Sequence, residues 1–160
     1  MAIHTIRRTL TVHATVAECW SFFSNPGNLV RITPPSLDIQ VVSELPEEIY
    51  PGLMIEYRVR PLLGIKMTWL TEITHVDRFH TFVDEQRVGP YRLWHHEHCF
   101  RDAGDDRTEM RDIVHYVLPF SPVPEIVHGI FVEPQLRQIF DCRERVTQEV
   151  FSKVRKDPII

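Results

Sequence analysis

The stretch Leu93 to Phe100 reads LWHHEHCF and holds three histidines and a glutamate in eight residues. Side chains of these types ligate zinc, exchange protons near neutral pH, or hydrogen-bond within a core. On a strand, successive side chains point to opposite faces. Trp94, His96, His98 and Phe100 then share one face, and His95, Glu97 and Cys99 share the other. A zinc site needs three or four donors within about 2.0–2.3 Å of the ion. His96 and His98 supply two, and a third must come from elsewhere. The chain has no H-E-x-x-H or C-x-x-C spacing, so no native metal site is expected. His95 and Glu97 are read as solvated on the outer, convex face. His96 and His98, flanked by Trp94 and Phe100, are read as inward.

Buried histidines need hydrogen-bond partners. Two neighbouring stretches offer them on alternating positions. Met110, Asp112, Val114 and Tyr116 form one face of a later strand, and Phe82, Asp84 and Gln86 form one face of an earlier one. Turned inward together with His96 and His98, these faces enclose an apolar space with a polar stripe. Arg143 lies between Phe140 and Thr147 on the apolar side of a terminal helix. A charge there must be paired, reach water or meet a ligand. Pairing with Asp112 or Asp84, or running out to the surface, is the structural reading. The functional reading is a fixed cation that orients a carboxylate or enolate. His96 or His98 would then serve as general base, with Arg143 or Tyr116 holding the enolate. Ser24 has no G-x-S-x-G setting, and Cys99 points away from His98. There are only six glycines, with no G-x-G-x-x-G and no G-K-[ST], so neither a nucleotide cofactor nor any other is expected.

Ile3 to Val12 reads as the first strand. A short helix follows over Ala17 to Ser24, with Thr15 and Glu18 spaced as a capping box. A second short helix is expected over Gly27 to Ile32, ended by Pro34-Pro35. Leu37, Ile39 and Val41 alternate as a strand, Pro51-Gly52 marks a turn, and Met54 to Val59 forms the next strand. A loop falls at Pro61 to Gly64. Lys66 to Val76 carries Met67, Trp69, Thr71 and Ile73 on one face. Phe82 to Arg87, Tyr91 to Arg101 and Thr108 to Leu118 complete the strands, punctuated by Gly89-Pro90 and Gly104-Asp105-Asp106. Hairpin spacing makes the sheet antiparallel. Pro119 to Pro124 breaks it, and Pro134 opens a helix of about 20 residues. At about 100° per residue, Leu136, Ile139, Phe140, Val146, Thr147, Val150, Phe151 and Val154 fall on one broad face. Gln138, Asp141, Arg145, Gln148, Glu149 and Ser152 fall opposite. A long apolar helix laid on one curved sheet leaves space between them, which points towards ligand binding.

The chain has 160 residues, 43% hydrophobic and 25% charged, with a net charge of -4. It reads as a single domain over residues 1–160 with a core of its own. Its lysines and arginines are scattered, so no nucleic-acid partner is expected. No apolar run approaches the roughly 18–20 residues of a spanning helix. The absence of a charged-then-apolar leader, and three well-separated cysteines without C-x-x-C, are read as reduced thiols in a cytoplasmic protein.

The blocks FVDEQRVGPYRLWHHEHCF, TEMRDIVHYVLPF and LRQIFDCRERV occur in order, after an opening TLTVHATVAECWSFFSNPGNL. They carry Gly-Pro-Tyr, Trp-x-His-x-His-x-Phe and Phe-x-x-Arg. Over essentially the whole chain this resembles the START-related ligand-binding superfamily, in particular its bacterial polyketide cyclase/dehydrase-like branch, the SRPBCC group. The resemblance implies an α+β helix-grip fold: a seven-stranded antiparallel sheet around the C-terminal helix, with two short helices after the first strand. It implies a pocket for a small hydrophobic or lipid-like molecule. Asp84, Gln86, Trp94, His96, His98, Asp112, Tyr116 and Arg143 match its recurring stretch and become candidate pocket residues, joined by Trp69 on the long strand and Phe140 on the helix. Three functions compete: a carrier of an apolar ligand with one polar end, a cyclase- or dehydratase-type enzyme, and an interaction protein with a filled core. Monomer and homodimer both stay open.

Overall fold

In the computed structural model, residues 2–60, 65–119 and 128–154 are described. Strand β1 (His4–Val12) leads through Thr15 into helix α1 (Val16–Phe23). Thr15 caps that helix reciprocally: its hydroxyl accepts from the Glu18 amide at 3.3 Å, and the Glu18 carboxylate accepts from the Thr15 amide at 2.7 Å. Two backbone amides without partners inside the helix are thereby satisfied. Strands β2 (Gln40–Val41), β3 (Met54–Val59), β4 (Met67–Asp77), β5 (Thr81–Val88), β6 (Leu93–Gly104) and β7 (Arg107–Val117) follow. A π-helical turn at His128–Val132 then runs into helix α2 (Glu133–Val154), with Pro134 in its first turn.

The strands form one seven-stranded antiparallel sheet in the order β1-β7-β6-β5-β4-β3-β2. All neighbours are consecutive in sequence except β1 and β7. Their pairing, His4 opposite Tyr116 through Val12 opposite Thr108, brings the first strand beside the last. The tight β6–β7 hairpin turns on Asp105 and Asp106, with φ of 54° and 51°. Positive φ at both central residues suits the right-handed twist of the strands, and aspartate tolerates it.

Helix α2 lies across the inner face of the sheet. Leu136, Phe140, Thr147 and Phe151 are buried, while Gln138, Asp141, Arg145, Gln148, Glu149 and Ser152 are exposed, as the 3.6-residue period requires. The apolar interior forms two clusters. One surrounds Trp20 of α1, which meets Phe82 and Phe100 edge-on at 6.0 and 5.7 Å. The other gathers Tyr91, Trp94, Val114, Tyr116, Leu136 and Phe140.

Three local expectations are corrected. The helix expected over Gly27–Ile32 is a 3-10 segment, Pro26–Ile32, capped by Asn25. The alternating strand expected through Leu37, Ile39 and Val41 shrinks to Gln40–Val41. Leu37 ends a second 3-10 turn and Asp38 adopts a left-handed φ of 42°, which interrupts extended backbone. His95 and Glu97 are half-buried rather than freely solvated, because Glu85 and Glu97 bracket His95 at 2.8 and 3.3 Å. The loop expected at Pro61–Gly64, residues 120–124 of the expected break and the side chain of Val154 lie outside the described residues.

Candidate functional site

The inner face of β6 is built by simple alternation: Trp94, His96, His98 and Phe100 are all buried. Register then selects their neighbours. Asp84 of β5 stands opposite His96, and Asp112 of β7 stands opposite His98. Each aspartate also lies diagonal to the other histidine, within reach of its side chain. The result is a cross-braced quartet. Asp84 Oδ2 is 2.7 Å from His98 Nε2 and 3.5 Å from His96 Nδ1. Asp112 Oδ1 is 2.9 Å from His98 Nδ1 and 3.1 Å from His96 Nε2. The imidazole centroids are 3.7 Å apart, and Phe82 stacks on His98 at 4.1 Å.

Arg143 descends onto this quartet from α2. Its Nη2 is 3.4 Å from Asp112 Oδ1 and 3.0 Å from His98 Nδ1, and the guanidinium lies over the Phe23 ring at 5.4 Å. The cation on the helix's apolar face is therefore paired, as one of the two sequence readings requires.

Two carboxylates face one guanidinium here, and of the two histidines His98 is the one whose protonated form they favour. Burial disfavours its charge, but hydrogen bonds to Asp112 and Asp84 outweigh that and raise its pKa. The Arg143 contact at Nδ1 opposes the protonated form and is the weaker influence. His96 goes the other way: burial and the neighbouring His98 charge push it down to about 4, leaving it neutral. Burial works against both carboxylates, yet the hydrogen bonds and charges around them prevail. The two histidines, with Arg143, hold Asp84 below its usual range, and Arg143 with the hydrogen bonds from His96 and His98 holds Asp112 well below it.

A cavity of about 190 Å³ opens on one side of the quartet. Its walls come from the 3-10 segment and α1 (Phe22, Phe23, Ile32), from β3 (Ile55, Tyr57, Val59) and from α2 (Leu136, Ile139). Of the expected site residues, Trp69, Asp84, Trp94, His96, His98, Phe140 and Arg143 line it. Three do not. Gln86 turns its carboxamide to the Tyr91 backbone, donating to the carbonyl at 2.6 Å and accepting from the amide at 3.2 Å. That carboxamide packs against the bare Gly89, where a Cβ would make it shift. Asp112 lies behind the imidazoles, against a smaller void on their far side. Tyr116 is wedged between His4 and Tyr91, at centroid distances of 5.3 and 5.7 Å.

Sequence reasoning missed Tyr57 and Tyr91 as wall residues. The signal for Tyr57 was present: Ile55, Tyr57 and Val59 alternate with Glu56 and Arg58. Its hydroxyl has no hydrogen-bond partner among the described residues; burial, then the Asp84 carboxylate, raises its pKa. The third metal donor absent from the local sequence is also supplied. Asp84, His96 and His98 each offer one donor atom within 4.8 Å of the others.

The family model described as polyketide cyclase / dehydrase and lipid transport matches residues 12–141. No curated protein matches the sequence. Among solved structures, a START superfamily protein from Mycobacterium smegmatis is similar at a TM-score of 0.72 and 11% identity, covering 94% of this chain and 99% of that one. Major latex-like protein 151 from Panax ginseng aligns at 0.67 and 10% identity, over 93% and 97% of the two chains. Norcoclaurine synthase from Thalictrum flavum, solved with dopamine and hydroxybenzaldehyde, aligns at 0.61 and 15% identity, over 92% and 88%. At these identities the likeness establishes the fold: the sheet and terminal helix are those of the helix-grip proteins.

Proposed function

Because the chain belongs to the polyketide cyclase / dehydrase and lipid transport family, we propose that it binds a small, largely apolar molecule of one or two rings. The observation that carries this reading is the cavity of about 190 Å³, apolar on most sides and polar along the Asp84–His96–His98–Arg143 wall. A void of about 150 Å³ takes a benzene ring, and drug-sized ligands occupy about 300–1,000 Å³. The volume therefore suits one or two rings better than a sterol. Trp69, Trp94, Phe140 and Tyr91 offer ring edges and faces to such a molecule. Its polar end is a hydroxyl or carbonyl rather than a carboxylate. Asp112 already compensates Arg143, so no cation is left over to balance a buried anion.

A second reading, acid–base catalysis of a cyclase or dehydratase type, is favoured by one feature. His96 stays neutral beside His98, whose protonated form the two carboxylates favour, on the same cavity wall, so a base and an acid are held apart by environment. Tyr116 does not line the cavity and Asp112 already engages Arg143, so hydrogen-bonding an enolate would fall to Tyr57. Norcoclaurine synthase, whose structure was solved with two single-ring molecules, lends analogy for the ligand class alone.

The test is native mass spectrometry of the purified chain, with extraction of anything bound, followed by calorimetric titration with 2-naphthol. One ring-bearing molecule per chain is expected. A protein that copurifies empty and takes up no one- or two-ring compound would sink the binding reading. For the enzymatic reading, unchanged turnover of an identified substrate after His96→Gln and His98→Gln would remove it.

A further inference from the structure

We propose that Asp84, His96 and His98 form a binding site for a divalent first-row transition metal ion, open towards the cavity. The argument begins with which atoms face which carboxylate. His96 Nδ1 and His98 Nε2 both turn to Asp84 Oδ2, at 3.5 and 2.7 Å. His96 Nε2 and His98 Nδ1 both turn to Asp112 Oδ1, at 3.1 and 2.9 Å. Metal-ligating histidines characteristically donate their second ring N–H to a carboxylate, which fixes tautomer and orientation. Asp112 is placed to do that for both rings at once.

The spacing fits an ion. Bonds of about 2.1 Å meeting at about 90–109° separate neighbouring donors by roughly 3.0–3.4 Å. The two Asp84 distances bracket that range and all three donors lie within 4.8 Å of one another, so the ion would draw the two imidazole donors together by side-chain rotation. Asp84, His96 and His98 line the cavity, whereas Asp112 does not. The donors are thus on the open side and the orienting carboxylate is on the closed side. Two imidazoles and one carboxylate, with further positions left to solvent or ligand, select a borderline divalent ion over calcium or magnesium. No thiolate contributes, since Cys99 alternates to the outer face.

Charge is consistent with this assignment. Without metal, Asp84 and His98 share a proton; the ion takes that proton's place, and both histidines bind as neutral imidazoles. Arg143 compensates Asp112, the carboxylate the ion does not touch. A bound dication then leaves one net positive charge facing the cavity, which suits water or an oxygen of an organic ligand in the open positions.

The site does not depend on the identity of an organic occupant, and its test uses the metal alone. Tag-free protein is stripped with a chelator and titrated with Co2+, followed by calorimetry and visible absorption. One equivalent with ligand-field bands is expected. Asp84→Asn and His96→Gln should abolish the bands, Asp112→Asn should weaken binding about 10–100-fold, and His95→Gln on the outer face should change nothing. Circular dichroism checks that each variant folds. In the unmodified protein, Co2+ should shift the indole NMR signal of Trp94, whose ring lies 6.2 Å from that of His96. Substoichiometric binding, an unshifted Trp94 signal, or binding lost in His95→Gln but kept in His96→Gln would overturn the proposal. Uptake of 2-naphthol by a protein that binds no Co2+ would leave the cavity's proposed function standing while this site falls.

Discussion

Asp112 reaches Nδ1 of His98 at 2.9 Å from the facing position on the adjacent strand, while Arg143 of the terminal helix closes on the same carboxylate oxygen at 3.4 Å. A strand-to-strand contact and a helix-to-sheet contact thus share one oxygen atom. The helix is fastened to the sheet at the point where the cavity carries its polar wall.

Removing that shared carboxylate should be costly. Asp112→Asn leaves Arg143 and His98 without their common anion in a buried setting, where breaking a buried pair costs about 3–5 kcal/mol. Urea denaturation should show a loss of about 3 kcal/mol. The His98 imidazole, no longer held by two carboxylates, should titrate at lower pH by NMR. A stability unchanged within about 0.5 kcal/mol would mean that the network contributes little to holding α2.

The metal-free protein should be most stable near pH 6.5, as far as these two histidines decide it. The folded His96 pKa of about 4 lies below its unfolded value. As pH falls from about 6.5 towards 4, the unfolded chain takes up a proton that the folded one refuses, and about 3 kcal/mol is lost. The folded His98 pKa is raised. Its contribution is complete below about pH 6.5 and disappears as pH rises through the folded value. Asp84 and Asp112, with depressed values, add further losses at still lower pH. Thermal midpoints measured across pH 4–9 in the presence of a chelator would test this. A midpoint that rises steadily to pH 9 would contradict the raised pKa of His98.

Filling the cavity should separate stability from binding. Ile139 is half-buried on α2 and lines the cavity. Ile139→Phe adds a ring towards the empty volume without removing a polar contact. Uptake of 2-naphthol should fall at least tenfold, while the melting temperature holds or rises by a few degrees, as filling a void with apolar atoms implies. Undiminished uptake would locate the binding elsewhere on the surface.

Thr147 points to an internal water. Its hydroxyl is buried with no partner among the described residues. It borders a void of about 20 Å³ also lined by Asp112, Arg143 and Met110. One water needs about 10–15 Å³ and two or more polar partners. A crystal structure should show a water there, and Thr147→Val should displace it without disturbing α2. A dry void would leave the hydroxyl's burial unexplained.

Much of the site could be read from β6 alone, because alternation is a property of extended backbone. Trp94, His96, His98 and Phe100 had to share a face, and packing against a long apolar helix made that face the inner one. Gln86 shows where the same logic fails. It obeys the alternation, yet a local partner two residues past Gly89 captures its carboxamide. Asp38 shows the other failure, since one left-handed residue ends a run that hydrophobicity alone reads as a strand.

The sequence by itself determined the elements and their apolar faces: the capped first helix, the period-two strands, the tight Asp105-Asp106 turn and the amphipathic terminal helix. These depend on local sterics, hydrogen bonds and patterning, which act over a few residues. Only the tertiary structure decided that Asp84 and Asp112 fall on either side of the histidine pair, that Arg143 meets Asp112 and His98, and that Tyr116 is shut out of the cavity. Those outcomes depend on strand register and on the height at which α2 crosses the sheet. Both are set by the packing of residues distant in sequence, so no local pattern encodes them.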